Sequence, residues 1–499
     1  MESIFGLISW QRLGITIAVY FTTLAFYRLF LHPLSRFPGP RLAAVSRWYE
    51  AYYDVVQNGQ YVFEIAELHR RYGPIIRISP HELHVNDAAF LDQLYRQDGI
   101  WDKYAWSVDA FATYGATMLT PQHDLHKARR QPLNPFFSKA RVNSRSDMIA
   151  GYLEKLCDRI SGFVESGEQF NLGAAITAFT RDVAFDFILG KSYQSLDAED
   201  FDEVMLSATR GSGQVWRLGK HLRFVGPMLK AMPVDWVIRY GDHVTKIFFR
   251  FLKVNMEDTE RLVASRGSPE TAPSNMVHEI MESKLPESEK TTARIFDDVA
   301  VITGAGFETT AGALRVALFH VFDKPDILQR LRAELATIDP RDLKATEQLP
   351  YLKAVLLEGL RMSPALGARL SRIAPDRELR YGRWRIPAGT PVSMSLILLH
   401  ADEAMYPEPR DFYPERWMNP TTGPRLEKSF APFLKGTRGC LGMHLAWAEM
   451  NLLMAGLVDQ FDFQCRDARA EDFESDSDQF ALGTRGKGVL NATACRRSK

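Results

Sequence analysis
Cysteine is scarce in this sequence. Cys157, Cys440, Cys465 and Cys495 are the only four in 499 residues, too few and too far apart for a disulfide framework. No CxxC pair occurs, which excludes a zinc knuckle or a thioredoxin-like centre. A reducing compartment is therefore expected. An excess of charge of one sign is also missing, since Lys+Arg and Asp+Glu both total 61. Nucleic-acid binders announce themselves by a basic excess, so no nucleic-acid partner is expected. There is no GxGxxG turn, hence no fused flavin or dinucleotide unit of that kind. No internal repeat is found.

What is present is ordinary globular composition, 46% hydrophobic and 24% charged, in a chain long enough to bury a large core. From Leu13 to Tyr27 no residue is charged. Read on through Arg28, whose head can snorkel from a helix end, the stretch is just long enough to span a bilayer. The basic residues that follow, Arg36 and Arg41, favour a cytoplasmic main body. The short apolar core and small-residue cleavage site of a signal peptide are not evident. Next comes HPLSRFPGPRL, His32 to Leu42, whose prolines and glycine break any helix and predict a stiff, extended hinge. The expected organisation is an anchor over residues 1–31, a hinge over 32–42 and one large domain over 43–499.

Helical periodicity dominates that domain. Long helices are expected over Arg294–Phe322, Tyr351–Met362 and Leu445–Phe461. Short strands are expected at Ile75–Ser79, Leu83–Asn86 and Pro391–Ser395. The polar stretch Ser265–Ser274 and the acidic run Glu471–Asp478 read as solvated loops. The fold class is mainly α with small β-sheets, without the β–α alternation of a doubly wound fold.

One cysteine stands apart. In FLKGTRGCLG, Phe433 to Gly442, it lies between glycines and two residues after an arginine. Gly436 and Gly439 permit backbone angles that other residues avoid, and Gly442 permits close approach of the backbone to a bulky object. A thiolate here can accept backbone N–H bonds. Arg438 offers a planar fork for carboxylates, and Phe433 offers an apolar wall. A haem would use all of these. The pattern F-x-x-G-x-R-x-C-x-G resembles the haem-binding loop of the cytochrome P450 family. Leu434 departs from it, where the family has a small or polar residue. Cys157, Cys465 and Cys495 carry no motif.

Other segments resemble the same family in the same order. EGLR, Glu358 to Arg361, puts two charges on one helix face. In the family these bind an arginine downstream, which matches Arg416 in YPERW. Glu358, Arg361 and Arg416 are thus expected to lock the fold. AGFETT, Ala305 to Thr310, resembles the helix over the oxygen-binding face of the haem. Gly306 costs helix stability there, so a packing reason is expected. Glu308 and Thr309 are the expected proton-relay pair, with Thr309 bonding back one turn. HKARR resembles the helix that reaches the haem propionates, with His126 in place of the usual tryptophan and Arg130 keeping the cation. Arg372 in RLSR matches a further propionate contact.

The resemblance covers nearly the whole chain and implies the cytochrome P450 fold behind a single transmembrane helix. It assigns Cys440 as iron ligand of haem b, with Phe433, Gly436, Arg438, Gly442, His126, Arg130, Arg372, Ala305 and Gly306 around the cofactor. The implied activity is insertion of one oxygen atom from O2 into an apolar small molecule. The hinge, NPFFS (Asn134 to Ser138) and PERW look most like membrane-bound fungal members that oxidise terpenoid or polyketide intermediates. Electrons would come from NADPH through a reductase on the same endoplasmic-reticulum membrane, docking near Lys435 and a Lys127/Arg129 patch. Pocket walls are expected in Val108–Met118 and Leu206–Met232, with Ile302, Phe307, Leu366 and Leu370 as contacts. A haem-thiolate isomerase or dehydratase, or a non-catalytic haem sensor, would share the loop. The intact Glu308-Thr309 pair favours the monooxygenase.

Overall fold
The computed structural model describes residues 10–265 and 275–497. Apart from Ser265, the polar stretch expected to form a loop at Ser265–Ser274 lies outside the described residues. The N-terminal apolar run forms helix α1 (Trp10–Phe26), prolonged by a π-helical turn, Tyr27–Leu31. Among the described residues it is the one stretch, Trp10–Leu31, long and apolar enough to cross a membrane, and none of it is buried. Arg28 does not snorkel away from the protein. Its Nη1 donates to Val45 O at 2.6 Å.

The proline segment is not an extended hinge. Its prolines prevent a regular helix, but Leu34 and Phe37 are buried beside Ile75, Leu83 and Val85. Phe37 stacks on Trp384 with centroids 4.9 Å apart. Arg77 N–H donates to Pro38 O at 2.7 Å. A Cβ on Gly39 would lie 2.4 Å from Arg77 O, so only glycine allows this approach. Burial of two large apolar side chains outweighs the stiffness of the prolines.

The largest sheet contains β1 (Ile75–Arg77), β2 (Leu83–Val85), β3 (Asp102–Lys103), β4 (Arg372–Ile373) and β5 (Val392–Ser393), in the order β1-β2-β5-β4-β3. The β2–β5 pair is parallel and the others are antiparallel. The register sets Lys103 opposite Arg372. The three expected strands are present but shorter.

Helices form the main core: α2 (His123–Arg130), α3 (Leu172–Leu189), α4 (Val204–His221), α5 (Thr292–Asp323), α6 (Pro350–Met362) and α7 (Met443–Gln460). Thr291 caps α5 by accepting from Arg294 N–H, and Lys324 ends it before Pro325 starts the next helix. α3 is mainly apolar and buried along nearly its whole length, with Arg181 and Asp182 buried in it as well, as a helix enclosed by others must be. The acidic run Glu471–Asp478 is not a solvated loop. It forms a short turn, Ala470–Phe473, and then β6 (Ser475–Gln479), paired antiparallel with β7 (Ala481–Thr484). Phe473, Ser477 and Asp478 are buried. The carboxylates are answered locally, Asp478 by Phe480 N–H and Glu474 by Arg485.

Candidate active site
The cysteine loop is closed by its own backbone. Cys440 N–H donates to Phe433 O at 2.8 Å, and Gly439 N–H to Gly436 O at 3.0 Å. Gly436 has φ +77°, and a Cβ there would lie 2.3 Å from Arg96 O. Both demands make glycine necessary at this position. Gly439 does not share that role, because its φ of −60° suits any residue. The other left-handed position is Leu434, at φ +56°. This strain is held by packing of its side chain against the cluster that contains Tyr95. No atom lies within 4 Å of where a Gly442 Cβ would be, so the space beside it is open.

Cys440 faces an opening and is itself exposed, although Arg438 two residues away is buried. The sulfur is open to solvent at that face, yet the protein packed around the loop still desolvates the thiolate and pushes the thiol up from its ordinary value, opposed by the Gly442 N–H and the charge of Arg130. Arg130 also donates to Gly439 O at 2.7 Å, which fixes the residue before the sulfur. On α5, Ala305 is exposed in the middle of an otherwise largely covered helix. Gly306 is turned elsewhere. A Cβ on it would meet Ala184 of α3 at 3.1 Å, so its packing role is the α3–α5 contact and not the opening.

The residues expected at the propionates carry unused donors. Among the described residues, His126 Nε2, Arg372 Nη2 and Arg438 Nε are buried without a partner. Arg438 spends its other nitrogens on Thr120 O, Trp101 O and Pro121 O. Lys103 joins them, with Met118 O as its one acceptor among the described residues. Nothing in the sequence marks Lys103, because a two-residue strand leaves no periodicity. Burial first, then Arg372 and Arg130, brings Arg438 down to about 9, with Asp102 in partial opposition. Burial and the charges of Arg438, Lys103, Arg130 and Arg372 push His126 far down. Such a crowd of buried and half-buried cations is unfavourable unless an anion completes it. Two carboxylates on a flat apolar group fit these donors, with a thiol nearby for its metal.

On α5, Thr309 Oγ1 donates to Ala305 O at 2.9 Å, the back-bond expected. Glu308 is paired with Arg315, two turns along the same helix, while its Oε2 is buried without a partner among the described residues. Arg315 also donates to Thr177 of α3 at 2.7 Å. Glu308 and Thr309 line one cleft with Ser363, Ala365 and Phe473. Ile302 and Phe307 belong to the main core instead of an open wall, and Phe307 lies under Arg181. Phe111, Trp216 and Phe480 form an aromatic cluster, with Phe111 stacked on Trp216 at 6.2 Å and edge-on to Phe480 at 4.9 Å.

Glu358 is fully satisfied. It accepts from Arg361 Nε and Nη2 at 2.9 Å, Arg416 Nε at 3.0 Å, Tyr413 N–H at 3.0 Å and Trp417 Nε1 at 2.8 Å. Trp417 was legible only as a letter in PERW, and its indole is a further buried donor. The basic patch expected at Lys127/Arg129 is reduced to Lys127. Arg129 is buried and paired with Glu289 at 2.6 Å. Lys435 is paired with Asp92 at 2.9 Å.

The family model "Cytochrome P450" matches residues 48–490. Among curated relatives, cytochrome P450 monooxygenase sdnE of Sordaria araneosa is 35% identical over 499 residues, covering 95% of this chain and 96% of the relative. Cytochrome P450 monooxygenase TRI4 of Trichoderma arundinaceum is 35% identical over 92% of this chain and 90% of its own length. Tryptophan 6-hydroxylase fscE of Fusarium equiseti is 35% identical over 94% of each chain. With the cysteine loop, the unpaired cations and the Glu358 lock in place, the chain belongs to the cytochrome P450 family of oxidoreductases.

Proposed function
We propose that this chain is a haem-thiolate monooxygenase that inserts one oxygen atom from O2 into an apolar small molecule, a terpenoid or polyketide intermediate of fungal secondary metabolism. The observation that carries the reading is the set of buried, unpaired donors on His126, Arg372 and Arg438 beside the exposed Cys440 thiol. Cys440 would bind the haem iron, the three donors and Lys103 the propionates, and Phe433 the macrocycle edge. When bound, the haem supplies the activation of O2 that no side chain can perform. The protein's share is orientation, exclusion of water and proton handling. Glu308 Oε2, which Arg315 leaves free, would accept a proton from water and return it through water to the Thr309 hydroxyl, which would release its own proton into the haem pocket as it takes the new one. The aromatic cluster of Phe111, Trp216 and Phe480 gives an apolar wall that suits a flat or isoprenoid substrate. Relatives named for tryptophan hydroxylation favour an aromatic substrate as the second reading.

Trp10–Leu31 anchors the chain in the endoplasmic-reticulum membrane, with the body in the cytoplasm and an NADPH-dependent reductase as electron donor. Lys127 remains the exposed cation for that docking. The test is the spectrum of the dithionite-reduced, carbon-monoxide-treated protein. A strongly red-shifted Soret band that Cys440→Ser abolishes is the expected result. An unshifted band means that the thiolate is not the ligand. NADPH consumption with reductase, stimulated by a binding substrate, separates the monooxygenase from an isomerase or sensor.

A further inference from the structure
A second group of unanswered cations lies where α1 meets the body. Arg77 is 2% exposed, and its Nη1 and Nη2 donate to Arg28 O and Pro80 O, each at 2.8 Å. Its Nε is buried without a partner among the described residues, as is Arg28 Nε. His32 and His81 stand with ring centroids 5.4 Å apart. His32 Nδ1 accepts from Leu34 N–H, which leaves Nε2 as the donor. Arg47 borders the group, its nearest acid Glu50 at 3.8 Å. Among the described residues, no carboxylate forms an ion pair with Arg28, His32, Arg77 or His81. Desolvation by the surrounding protein and the neighbouring arginines hold His32 down and bring His81, part of whose side chain is open to solvent, to about 4.

We propose that Arg28, His32, Arg77 and His81 form a binding site for the phosphate of an anionic lipid headgroup. The proposal rests on the anchor reading of Trp10–Leu31. Arg28 stands in the last turn of that segment, at the depth where a helix end meets headgroups. A phosphate accepts from several guanidinium and imidazole donors at once, as the two free Nε–H groups and the His32 Nε2–H require. Inorganic phosphate has the same chemistry, but the position at the end of an apolar span selects the lipid. The site would fix how the body sits on the membrane, since Arg28 and Arg77 also join α1 to β1.

The test uses the full-length, haem-loaded protein in phosphatidylcholine vesicles with or without phosphatidic acid. Lipid retained after detergent extraction is counted by native mass spectrometry, and the His81 ring is titrated by NMR. Retention of phosphatidic acid over phosphatidylcholine and a higher His81 pKa are expected. Arg28→Gln should weaken retention about fivefold, the value of one cation at an anionic surface. Since changes at Arg77 also remove backbone bonds, the decisive variant is His81→Glu at an exposed position. Its carboxylate should take the place of the phosphate, abolish lipid selectivity and raise the melting temperature. Equal retention of both lipids, or unchanged selectivity in His81→Glu, overturns the site. So does an equal His81 shift with inorganic phosphate alone, which assigns the site to a soluble anion. Flotation with both vesicle types but no preference overturns the site and keeps the anchor. Flotation with neither overturns the anchor and this site with it.

Discussion

Lys220 on α4 is buried and Lys103 on β3 is half-buried, and the two lysines live in opposite surroundings. Lys220 Nζ lies 2.6 Å from Asp54 and 3.4 Å from Glu50. Arg369 adds pairs to Glu50 at 2.6 Å and Glu82 at 2.9 Å. Glu50, Asp54 and His221 are spaced as metal ligands would be, but the ammonium of Lys220 already serves both carboxylates. Each acid of this cluster has a cation of the chain beside it, although Glu50 Oε2 and Asp54 Oδ1 accept no hydrogen bond among the described residues, and the cluster joins α4 to the N-terminal part of the body. Lys103, by contrast, shares its surroundings with Arg372, Arg438 and Arg130 and has a carbonyl as its acceptor. The difference teaches how to read buried charge. A balanced cluster is scaffold, and an unbalanced one marks the place of a missing ligand.

The largest test of that comparison falls on the balanced side. Lys220→Met leaves Asp54 and Glu50 short of a cation and should cost about 3–5 kcal/mol in urea unfolding. Glu358→Gln should cost a similar amount, since Arg361 and Arg416 then face each other without a carboxylate. A loss below about 1 kcal/mol in either variant, the level of a surface pair, would break the comparison.

The balanced and unbalanced clusters were unequally legible. Cys440, Arg438 and the Glu358–Arg361–Arg416 lock stand in local spellings that a reader of the sequence can find. The Lys220 cluster joins residues some 170 positions apart, and no local pattern reports such a contact. Lys103 depends on strand register across the β3–β4 pair. Arg315 was within reach, as it follows Glu308 by seven residues on one helix face. The proline segment and the acidic run were misread for one reason. Composition says what a segment tolerates in solvent, while Phe37 and Asp478 are decided by what packs over them. The long helices were read to within two or three residues, because an apolar stripe over many turns is redundant information.

A middle-sized effect tests the edge of the balanced cluster. Burial pushes Asp478 up to about 6, with Lys220 opposing and the charge of Asp54 adding to the rise. An acid whose folded pKa exceeds its unfolded value of about 3.9 binds more protons when folded. It therefore lowers stability as pH rises from about 4 through 6. Asp478→Asn keeps the acceptor for Phe480 N–H and removes the charge. The variant should exceed wild type by up to about 3 kcal/mol at pH 8, and the gap should close below pH ~4. Parallel curves across that range in thermal or urea unfolding would show that Asp478 is ionised at no penalty.

The smallest expected effect is the most discriminating, because its sign reverses between two states of the same protein. Lys103→Gln keeps a donor for Met118 O and removes one charge from the unbalanced cluster. Without haem, the variant loses only repulsion from Arg372, Arg438 and Arg130, so the apoprotein should gain about 1 kcal/mol. With haem, it loses a charged hydrogen bond worth roughly 1.5 kcal/mol. Transfer of haem to an apomyoglobin acceptor should then run about tenfold faster than from wild type. Lys220→Met should show no such reversal, since its partners are protein carboxylates in both states. If Lys103→Gln destabilises the apoprotein instead, its charge is already compensated within the chain. The unbalanced cluster would then be scaffold after all.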